Sequence, residues 1–402
     1  MMDETKEIES TESEADKPPS TMPRPVRAWR VAVIANVKGE TVLPIDGPAD
    51  AGAEFDKKET IQEIQSAIES DGHTTVFIPA DANLPYALTH VRPDICFNIS
   101  EGIYGDAREA QIPALLELLR IPYTASRVLT NAISLDKTMT KRIWRDKGLP
   151  TAAFQEFVTG DEPLADDLTF PMFIKPASEG TGMGMDGGSI VHDKTALYQR
   201  VKWVIENYHQ PALVEEYLPG REFTVAVMGR EDAARFSPRP GIYGPDGFHR
   251  FPLLEVDSSG SVTPGIYGHL AKTLHHGESG VPQFICPATV EEPLASTLQD
   301  LAIKAHKALN SLDVSRVDIR LDKDGLPRLM EINTLPGLTR GFSDLCVIAE
   351  AENWNYRDII LEILYLGASR FGMVTPSDRT ARGIPVQLSE YVPVFHNQRH
   401  SR

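Results

Sequence analysis

One predicted hairpin near the C-terminal end of the chain carries the residue types best suited to binding a metal ion. Apolar and charged residues alternate over 316–322, which is typical of a strand with one face in a core. Asp324-Gly325 then gives a two-residue turn signal, and a second strand is predicted to end at Asn333. We therefore expect a β-hairpin over Ser315–Asn333.

The position of this turn decides which side chains face each other. It pairs Asp318 with Glu331 and Arg316 with Asn333, and it places Glu331 and Asn333 on one face of their strand. Two carboxylates and an amide then converge, and such oxygen ligands suit Mg²⁺ beside nucleotide phosphates. Pro327 cannot donate a hydrogen bond to the ladder, so this register is least secure there. The alternative is an exposed hairpin with solvated acids or acids paired to its own arginines.

A lysine followed by a glycine-rich loop forms a second candidate group. Phe170–Lys175 is predicted to be a strand that delivers Lys175, and the loop after it contains Gly180, Thr181 and Gly182. Glycine lets backbone N–H groups approach phosphate oxygens closely. The G-x-G-x-x-G spacing in this loop is a weak dinucleotide signal because a strand, not a helix, follows it. The alternative is a flexible hairpin turn without a ligand.

The sequence lacks the signatures of two other classes of phosphate-binding protein. The sequence contains no P-loop motif, and the catalytic signatures of protein kinases are missing. The segment Glu215–Glu222 lies between two predicted strands and offers acids, an aromatic ring and backbone groups to an adenosine. Its alternative is an ordinary polar loop.

Composition limits the partners of the chain. With 40 basic and 57 acidic residues in 402, the formal charge is −17, so nucleic acid is not an expected partner. Three separated cysteines argue against a disulfide framework. We find no secretory signal in the acidic N-terminus and no apolar run long enough for a membrane span, and so we expect a cytoplasmic protein.

The order of predicted elements indicates an α/β unit followed by α+β units. Strands and helices alternate in the first unit, which favours an open parallel sheet. The predicted strands are 29–37, 75–79, 94–99, 170–175, 188–192, 213–216 and 222–228, and the predicted helices are 58–71, 110–119, 136–147, 196–207, 289–310 and 357–366. An irregular segment rich in Gly, Pro and His is expected over 238–282.

Taken together, these segments resemble the D-alanine-D-alanine ligase family of the ATP-grasp superfamily, over nearly the whole stretch from Trp29 to Gly367. The resemblance rests on short motifs that occur in the family's order. They are Ser134-Leu-Asp-Lys137, Ile174-Lys-Pro with the glycine loop, Glu215 through Thr224, Cys286-Pro-Ala, and Arg316-Val-Asp318 through Glu331-Ile-Asn-Thr-Leu-Pro-Gly337.

The resemblance implies an ATP-grasp fold behind an N-terminal open parallel α/β domain. The expected divisions are a disordered tail over 1–28, a substrate-side α/β domain over 29–133, a central ATP-grasp subdomain with the glycine loop over 134–222, a C-terminal ATP-grasp subdomain with the metal site over 223–370, and a tail over 371–402. The family also implies a homodimer.

The resemblance assigns roles to individual residues. ATP phosphates would be held by Lys137, Lys175, Gly180, Thr181 and Gly182, and the adenosine by Glu215, Tyr217, Leu218 and Glu222. Two Mg²⁺ ions, or Mn²⁺ in their place, would be bound by Asp318, Glu331 and Asn333. Lys272 matches a mobile-loop lysine that reaches the terminal phosphate, and Arg316 and the Gly337 N–H would stabilise an oxyanion.

These roles imply a ligase that joins an acid to an amine. A carboxylate would attack the γ-phosphate of ATP, giving an acyl phosphate and ADP. An amine would then attack the acyl carbon and release phosphate, leaving a peptide or other amide bond, while preorganised donors stabilise the tetrahedral oxyanion.

The sequence departs from the family pattern where substrates would bind. The segment Asn36-Val-Lys-Gly-Glu40 does not match the family's anchor for the first amino acid's ammonium, for which Glu40 or Glu101 could substitute. Thr273 stands where a tyrosine is expected after the loop lysine. Candidates for binding a substrate carboxylate are Arg108, Arg340 and Ser343.

Three alternatives remain beside a dipeptide ligase. The first is a ligase that acts on acid and amine substrates other than D-alanine. The second is a catalytically silent ATP-binding or regulatory protein on the same fold, favoured by the altered substrate segments. The third is a kinase on this fold, which would leave a stable phosphorylated product.

Overall fold

The computed structural model describes residues 27–376 apart from 46, 262, 267 and 269–279, and its first unit is a parallel sheet. Its strands are β1 (Arg30–Ala35), β2 (Thr74–Pro79) and β3 (Ile95–Asn98), in the order β2-β1-β3. The central strand β1 is almost wholly apolar and buried, as expected for a parallel strand covered on both faces. The helices α1 (Lys58–Glu69), α2 (Leu84–Val91) and α3 (Gln111–Leu119) pack on this sheet, and α4 (Val128–Leu135) follows them in the chain.

A second sheet lies in the middle of the chain and is antiparallel. After α5 (Lys137–Asp146) come β4 (Phe154–Phe157), β5 (Met172–Pro176), β6 (Ile190–Val191), α6 (Lys194–Tyr208) and β7 (Ala212–Glu216), with the strand order β4-β7-β5-β6. Helix α6 begins at Asp193, whose carboxylate accepts the N–H of Ala196 at 2.9 Å. Its buried Leu197, Val201 and Val204 pack on this sheet and give it a core of its own.

The third sheet carries the predicted hairpin. Its strands are β8 (Glu222–Gly229), β9 (Phe248–Arg250), β10 (Leu254–Asp257), β11 (Gln283–Ile285), β12 (Val314–Leu321) and β13 (Pro327–Asn333). They follow the order β11-β10-β8-β12-β13, and β9 also pairs with β8. The helices of this part are α7 (Leu294–Ala308), α8 (Asp344–Ala351) and α9 (Tyr356–Ser369).

The first and third sheets share a hydrophobic core, whereas the second does not join it. Buried Ile64 of α1 lies in the same apolar cluster as Met228 of β8 and Leu361 of α9. The hydroxyl of Tyr365 also donates to Asp71 at 2.6 Å across this boundary. The central sheet is therefore a separately packed part of the structure.

Most predicted elements are confirmed within a few residues. The predictions missed α2, α4, α8, β4 and β11, and they described 238–282 as irregular although β9 and β10 lie in that segment. The divisions at residues 133, 222 and 370 stay a prediction. The predicted tails lie outside the described residues except for 27–28 and 371–376. In the part of the chain that the structure describes, no helix is long and apolar enough to cross a membrane.

Candidate active site

The hairpin of β12 and β13 brings the predicted metal residues together. Asp318 lies opposite Glu331, and Arg316 lies opposite Asn333, as the sequence predicts. On its other side Asp318 faces Thr224 of β8, whose hydroxyl donates to the Asp318 carboxylate at 3.0 Å. The two carboxylates predicted to bind metal thus lie on β12, which is paired on both sides, and on the neighbouring strand β13.

The predicted two-residue turn is wrong in length. The N–H of Asp322 donates to the carbonyl of Leu326 at 2.9 Å, which leaves a loop of three residues between them. Gly325 in this loop has a φ of 76°, a conformation that favours glycine. The Asp322 carboxylate also accepts the N–H groups of Asp324 and Leu326, both at 2.9 Å.

A β-bulge compensates for the longer turn. Ile319 faces Leu329 near the turn, whereas the register is shifted by one residue from Asp318 onward, so Met330 is the extra residue. Leu329 and Ile332 are both buried, which regular alternation along a strand does not allow. The bulge therefore turns Glu331 away from the core and restores the predicted pairing.

Arg316 lies among three carboxylates. Its guanidinium is 2.9 Å from Asp318, 3.9 Å from Glu331 and 3.2 Å from Asp344. Burial opposes its charge, but the neighbouring carboxylates outweigh burial and raise the pKa of Arg316 above its ordinary value. It therefore stays cationic and supplies the positive charge that facing carboxylates require.

Lys137 joins the hairpin to the glycine loop. Asp136 caps helix α5 by accepting the N–H of Met139 at 2.9 Å, which fixes Lys137 as the first residue of the helix. The Lys137 ammonium lies 3.5 Å from the Glu331 carboxylate and also donates to the carbonyl of Glu179 in the loop.

Lys175 and Glu215 belong to a buried cluster that includes a lysine the sequence prediction missed. The Glu215 carboxylate lies 2.9 Å from Lys175 and 2.8 Å from Lys141. Burial opposes ionisation of Glu215, but the two ammonium groups outweigh it and lower its pKa to about 2. Lys141 also donates to the Thr151 hydroxyl at 2.7 Å. The spacing of Lys137 and Lys141, four residues apart on one helix, was the available signal.

The residues predicted to hold adenosine lie at the edge between the second and third sheets. Glu222 is 3.4 Å from Arg320, and the Arg320 guanidinium lies 5.4 Å from the centre of the Tyr217 ring. Leu218 is buried. Arg320 also donates to the carbonyl of Gly265 at 2.9 Å, which brings part of the 238–282 segment over this edge.

A cavity of about 620 Å³ lies between the hairpin, the glycine loop and the first unit. Its volume is in the range of small-molecule sites. The predicted residues that line it are Lys137, Gly180, Thr181, Arg316, Glu331, Asn333 and Gly337, together with the acceptor candidates Glu101, Arg340 and Ser343. The residues outside its lining are Lys175, Gly182, Glu215, Tyr217, Leu218, Glu222 and Asp318. Lys272 lies outside the described residues.

Two substrate candidates do not fit the roles considered for them. Arg108 is buried and donates to Glu54 at 2.6 Å, to Glu179 at 3.3 Å and to the Ser178 carbonyl at 2.8 Å, so its guanidinium is already engaged. Glu40 is more than half exposed, pairs with Lys58, and does not line the cavity.

Buried carboxylates line the first unit's side of the cavity, and of Asp56, Glu101 and Glu109 the sequence prediction named only Glu101. Burial raises the pKa of Asp56 to about 7, against a hydrogen bond with Thr339. Burial likewise raises the pKa of Glu109 to about 7, although Arg108 opposes it, and places the pKa of Glu101 well above its ordinary value. Asp56 and Glu109 escaped notice because the cavity they share with Glu101 depends on contacts between distant segments.

The hairpin residues fit a magnesium site. Asp318 and Glu331 offer carboxylate oxygens on neighbouring strands, and Asn333 offers the oxygen of its side-chain amide. Among the described residues no group of three or more His, Cys, Asp or Glu side chains could hold a metal ion by itself. Mg²⁺ commonly uses one or two carboxylates and takes further ligands from substrate phosphates, so two carboxylates are sufficient.

Residues 143–365 match the family model described as the D-ala D-ala ligase C-terminus. The uncharacterized protein y4sG of Sinorhizobium fredii is 33% identical over 316 residues, which cover 77% of this chain and 87% of that protein. The D-alanine–D-alanine ligase of Bordetella petrii is 33% identical over 279 residues, covering 67% of this chain and 75% of that protein.

Solved structures agree on the fold. A D-alanine–D-alanine ligase from Bacillus anthracis superposes with a TM-score of 0.65 at 23% identity, covering 85% of this chain and 98% of that chain. The same ligase complexed with ATP gives a TM-score of 0.63 at 24% identity, with equal coverage. The predicted ATP-grasp fold is confirmed, and the chain belongs to the D-alanine–D-alanine ligase family of ATP-dependent C–N ligases.

Proposed function

We propose that this protein joins a carboxylic acid to an amine through an acyl phosphate, releasing ADP and phosphate. The observation that carries this proposal is the single cavity that brings Lys137, Thr181, Arg316 and Glu331 together. A nucleotide's phosphates and a reacting carboxylate need cations, backbone donors and metal ligands in one place.

Different groups of residues would neutralise the phosphates, cover them and bind the metal. Lys137 and Lys175 would neutralise phosphate charge, and Gly180, Thr181 and Gly182 would cover the phosphates with backbone N–H groups. Bound Mg²⁺ would be held by Asp318, Glu331 and Asn333 and would supply further positive charge to the phosphates.

The transfer has two steps. A substrate carboxylate oxygen would attack the γ-phosphorus of ATP, the bond to the β-phosphate oxygen would break, and ADP would leave. An amine nitrogen would then attack the acyl carbon, and phosphate would leave with the C–O electron pair as the nitrogen loses a proton. Arg316 and the Gly337 N–H would stabilise the oxyanion between these events.

Two classes of substrate are compatible with this chemistry. D-Alanine is the substrate named for the related ligases, and it is the first candidate here. An acid and an amine of other kinds form the second, because Arg108 is engaged by Glu54 and Glu179 and Glu40 lies outside the cavity. In both cases Arg340 and Ser343, which line the cavity, would contact a substrate carboxylate.

The test is phosphate release from ATP with a panel of D- and L-amino acids and simple amines, with the joined product identified by mass spectrometry. Hydroxylamine supplied in place of the amine should trap the acyl phosphate as a hydroxamate. D-Alanine dipeptide would identify the first candidate, and another amide the second. ATP binding without phosphate release from any pair would instead indicate a silent nucleotide-binding protein, and a persistent phosphorylated product would indicate a kinase.

A further inference from the structure

The loop between β1 and α1 reaches from the first unit to the glycine loop of the central unit. We call residues 47–57 the clasp segment, because side chains along it contact residues 178–184. The segment lies between the cavity described above and a second cavity of about 760 Å³, and Glu54, Phe55 and Glu179 line both. Its contacts with the glycine loop therefore form a wall between two spaces.

The first contact holds the backbone of Gly184. The Asp50 carboxylate accepts the N–H of Gly184 at 3.0 Å and the Tyr208 hydroxyl at 2.9 Å. Arg200, which belongs to the central unit, donates to the carbonyl of Gly184 at 2.6 Å. Gly184 therefore forms hydrogen bonds both with Arg200 of its own unit and with Asp50 of the first unit.

The second contact is a buried bridge. Arg108 of the first unit lies 2.6 Å from Glu54 in the clasp segment and 3.3 Å from Glu179 in the glycine loop, and it also donates to the Ser178 carbonyl. The three charged side chains are between 8% and 14% exposed, so solvent screens them little. Removing the arginine would leave two carboxylates close together.

The third contact accounts for the glycine at position 180. A Cβ atom added to Gly180 would lie 2.0 Å from Oε1 of Glu54, so any other residue there would displace the Glu54 carboxylate. A Cβ at Gly184 would meet Pro176 at 2.6 Å, and φ is 70° there. At Gly180, therefore, a side chain would disturb the buried pairing of Glu54 with Arg108 independently of any phosphate.

These contacts matter because the central unit has its own core and is not fixed to the first unit by a shared one. We infer that Asp50, Glu54 and Arg108 are positioning residues that hold the glycine loop over the ATP site, so that the first unit sets the affinity for ATP. The inference rests on the proposed function for its ATP site. It predicts that loosening the clasp segment weakens ATP binding more than it slows the chemical steps, since none of the three is assigned a contact with the reacting atoms.

The first experiment measures amide hydrogen exchange over residues 178–188 in the full chain without ligand. Asp50→Ala should raise exchange in this segment by about five- to tenfold, as expected for the loss of a charged hydrogen bond. Arg108→Lys should raise it less than Arg108→Met, because lysine keeps one ion pair. Lys58→Gln is the matched control: it removes an exposed ion pair with Glu40 beside the clasp segment without touching the glycine loop.

The second experiment measures ATP affinity by calorimetry, and the KM for ATP against kcat once a substrate pair is known. Asp50→Ala should raise the dissociation constant about five- to tenfold and change kcat by less than about twofold. If exchange over 178–188 and ATP affinity match the control in both Asp50→Ala and Arg108→Met, the inference is wrong. The exchange readout needs no turnover, so this outcome is distinct from failure of the ligase proposal, in which exchange responds but no amide forms.

Discussion

The two sides of the cavity handle buried charge in opposite ways. On the nucleotide side, each carboxylate faces buried cations: Glu215 lies between Lys141 and Lys175, and Glu331 lies near Lys137 and Arg316. These cations hold the pKa of Glu215 at about 2 in spite of burial. Glu215 is therefore ionised at neutral pH.

On the substrate side, buried carboxylates exceed buried cations. Arg108 is the buried cation there and is shared with Glu54 and Glu179, while Lys38, Lys57 and Arg340 lie exposed at the rim. Burial raises the pKa of Asp56 to about 7. The fold thus supplies its own counter-charges where phosphates are expected, whereas the substrate side takes up protons near neutral pH.

The largest expected effect comes from removing the carboxylate of Glu331 on the nucleotide side. Glu331→Gln removes the negative charge that pairs with Lys137 and would bind Mg²⁺, and turnover should fall by about 1,000-fold. Phosphate release at saturating ATP is the measurement, with circular dichroism to confirm folding. Asp324→Asn in the exposed turn of the same hairpin is the control and should keep its activity. Normal turnover by Glu331→Gln would refute the metal assignment.

Lys141 tests whether the nucleotide side depends on paired charges. Its ammonium is 1% exposed and 2.8 Å from Glu215. Lys141→Met should lower the apparent free energy of unfolding by about 3 kcal/mol, because a buried ion pair loses one partner. Urea titration measures this change, and the exposed Lys304→Met serves as control within about 0.5 kcal/mol of wild type. Equal stability of the two variants would show that Lys175 alone satisfies Glu215.

Asp56 tests the substrate side through pH. Its pKa is raised from 3.8 to about 7 in the folded protein, so the folded state binds more protons than the unfolded state across that window. Stability therefore falls as pH rises through the window, and the contribution of Asp56 to this slope is absent in Asp56→Asn. Thermal unfolding midpoints recorded across the window measure both slopes. Glu101 and Glu109 should still make the stability of Asp56→Asn decrease with rising pH, but less steeply than in wild type. If the curves of midpoint against pH are parallel for the two proteins, Asp56 is ionised in the folded state.

The smallest effect is expected at Thr224, which donates to Asp318 at 3.0 Å. Thr224→Val leaves this carboxylate with one hydrogen bond fewer, and kcat should fall by about fivefold, the equivalent of about 1 kcal/mol. Thr224→Ser restores the hydroxyl and should recover most of the activity. Identical rates for the valine and serine variants would show that the hydroxyl does not orient Asp318.

The nucleotide side was largely predictable because its determinants are close together in the sequence. Asp318 and Glu331 belong to one hairpin, and alternation of side chains together with a turn signal was enough to pair them. The length of the turn was not predictable from Asp324-Gly325 alone, and the correct pairing arises because the bulge at Met330 offsets the error. Lys141 was missed because its partner Glu215 lies on a strand far along the chain.

The substrate side was less predictable because its residues meet only through tertiary packing. The sequence offers Arg108 as a ligand for a substrate carboxylate, and only the folded structure brings Glu54 and Glu179 to it. The short strands β9 and β10 were missed within a segment rich in glycine and proline, where pairing with β8 rather than local propensity stabilises them.

The bulge at Met330 also limits how the hairpin can vary among related genes. Residues can be gained or lost in the exposed turn only if each side chain of β13 keeps pointing to the same face of the sheet. A residue gained or lost in the turn changes the length of the loop and can leave this pairing intact, whereas a residue added within β13 between Leu329 and Glu331 would exchange the faces of Glu331 and Ile332. Among related genes we therefore expect length changes in the turn rather than within this strand.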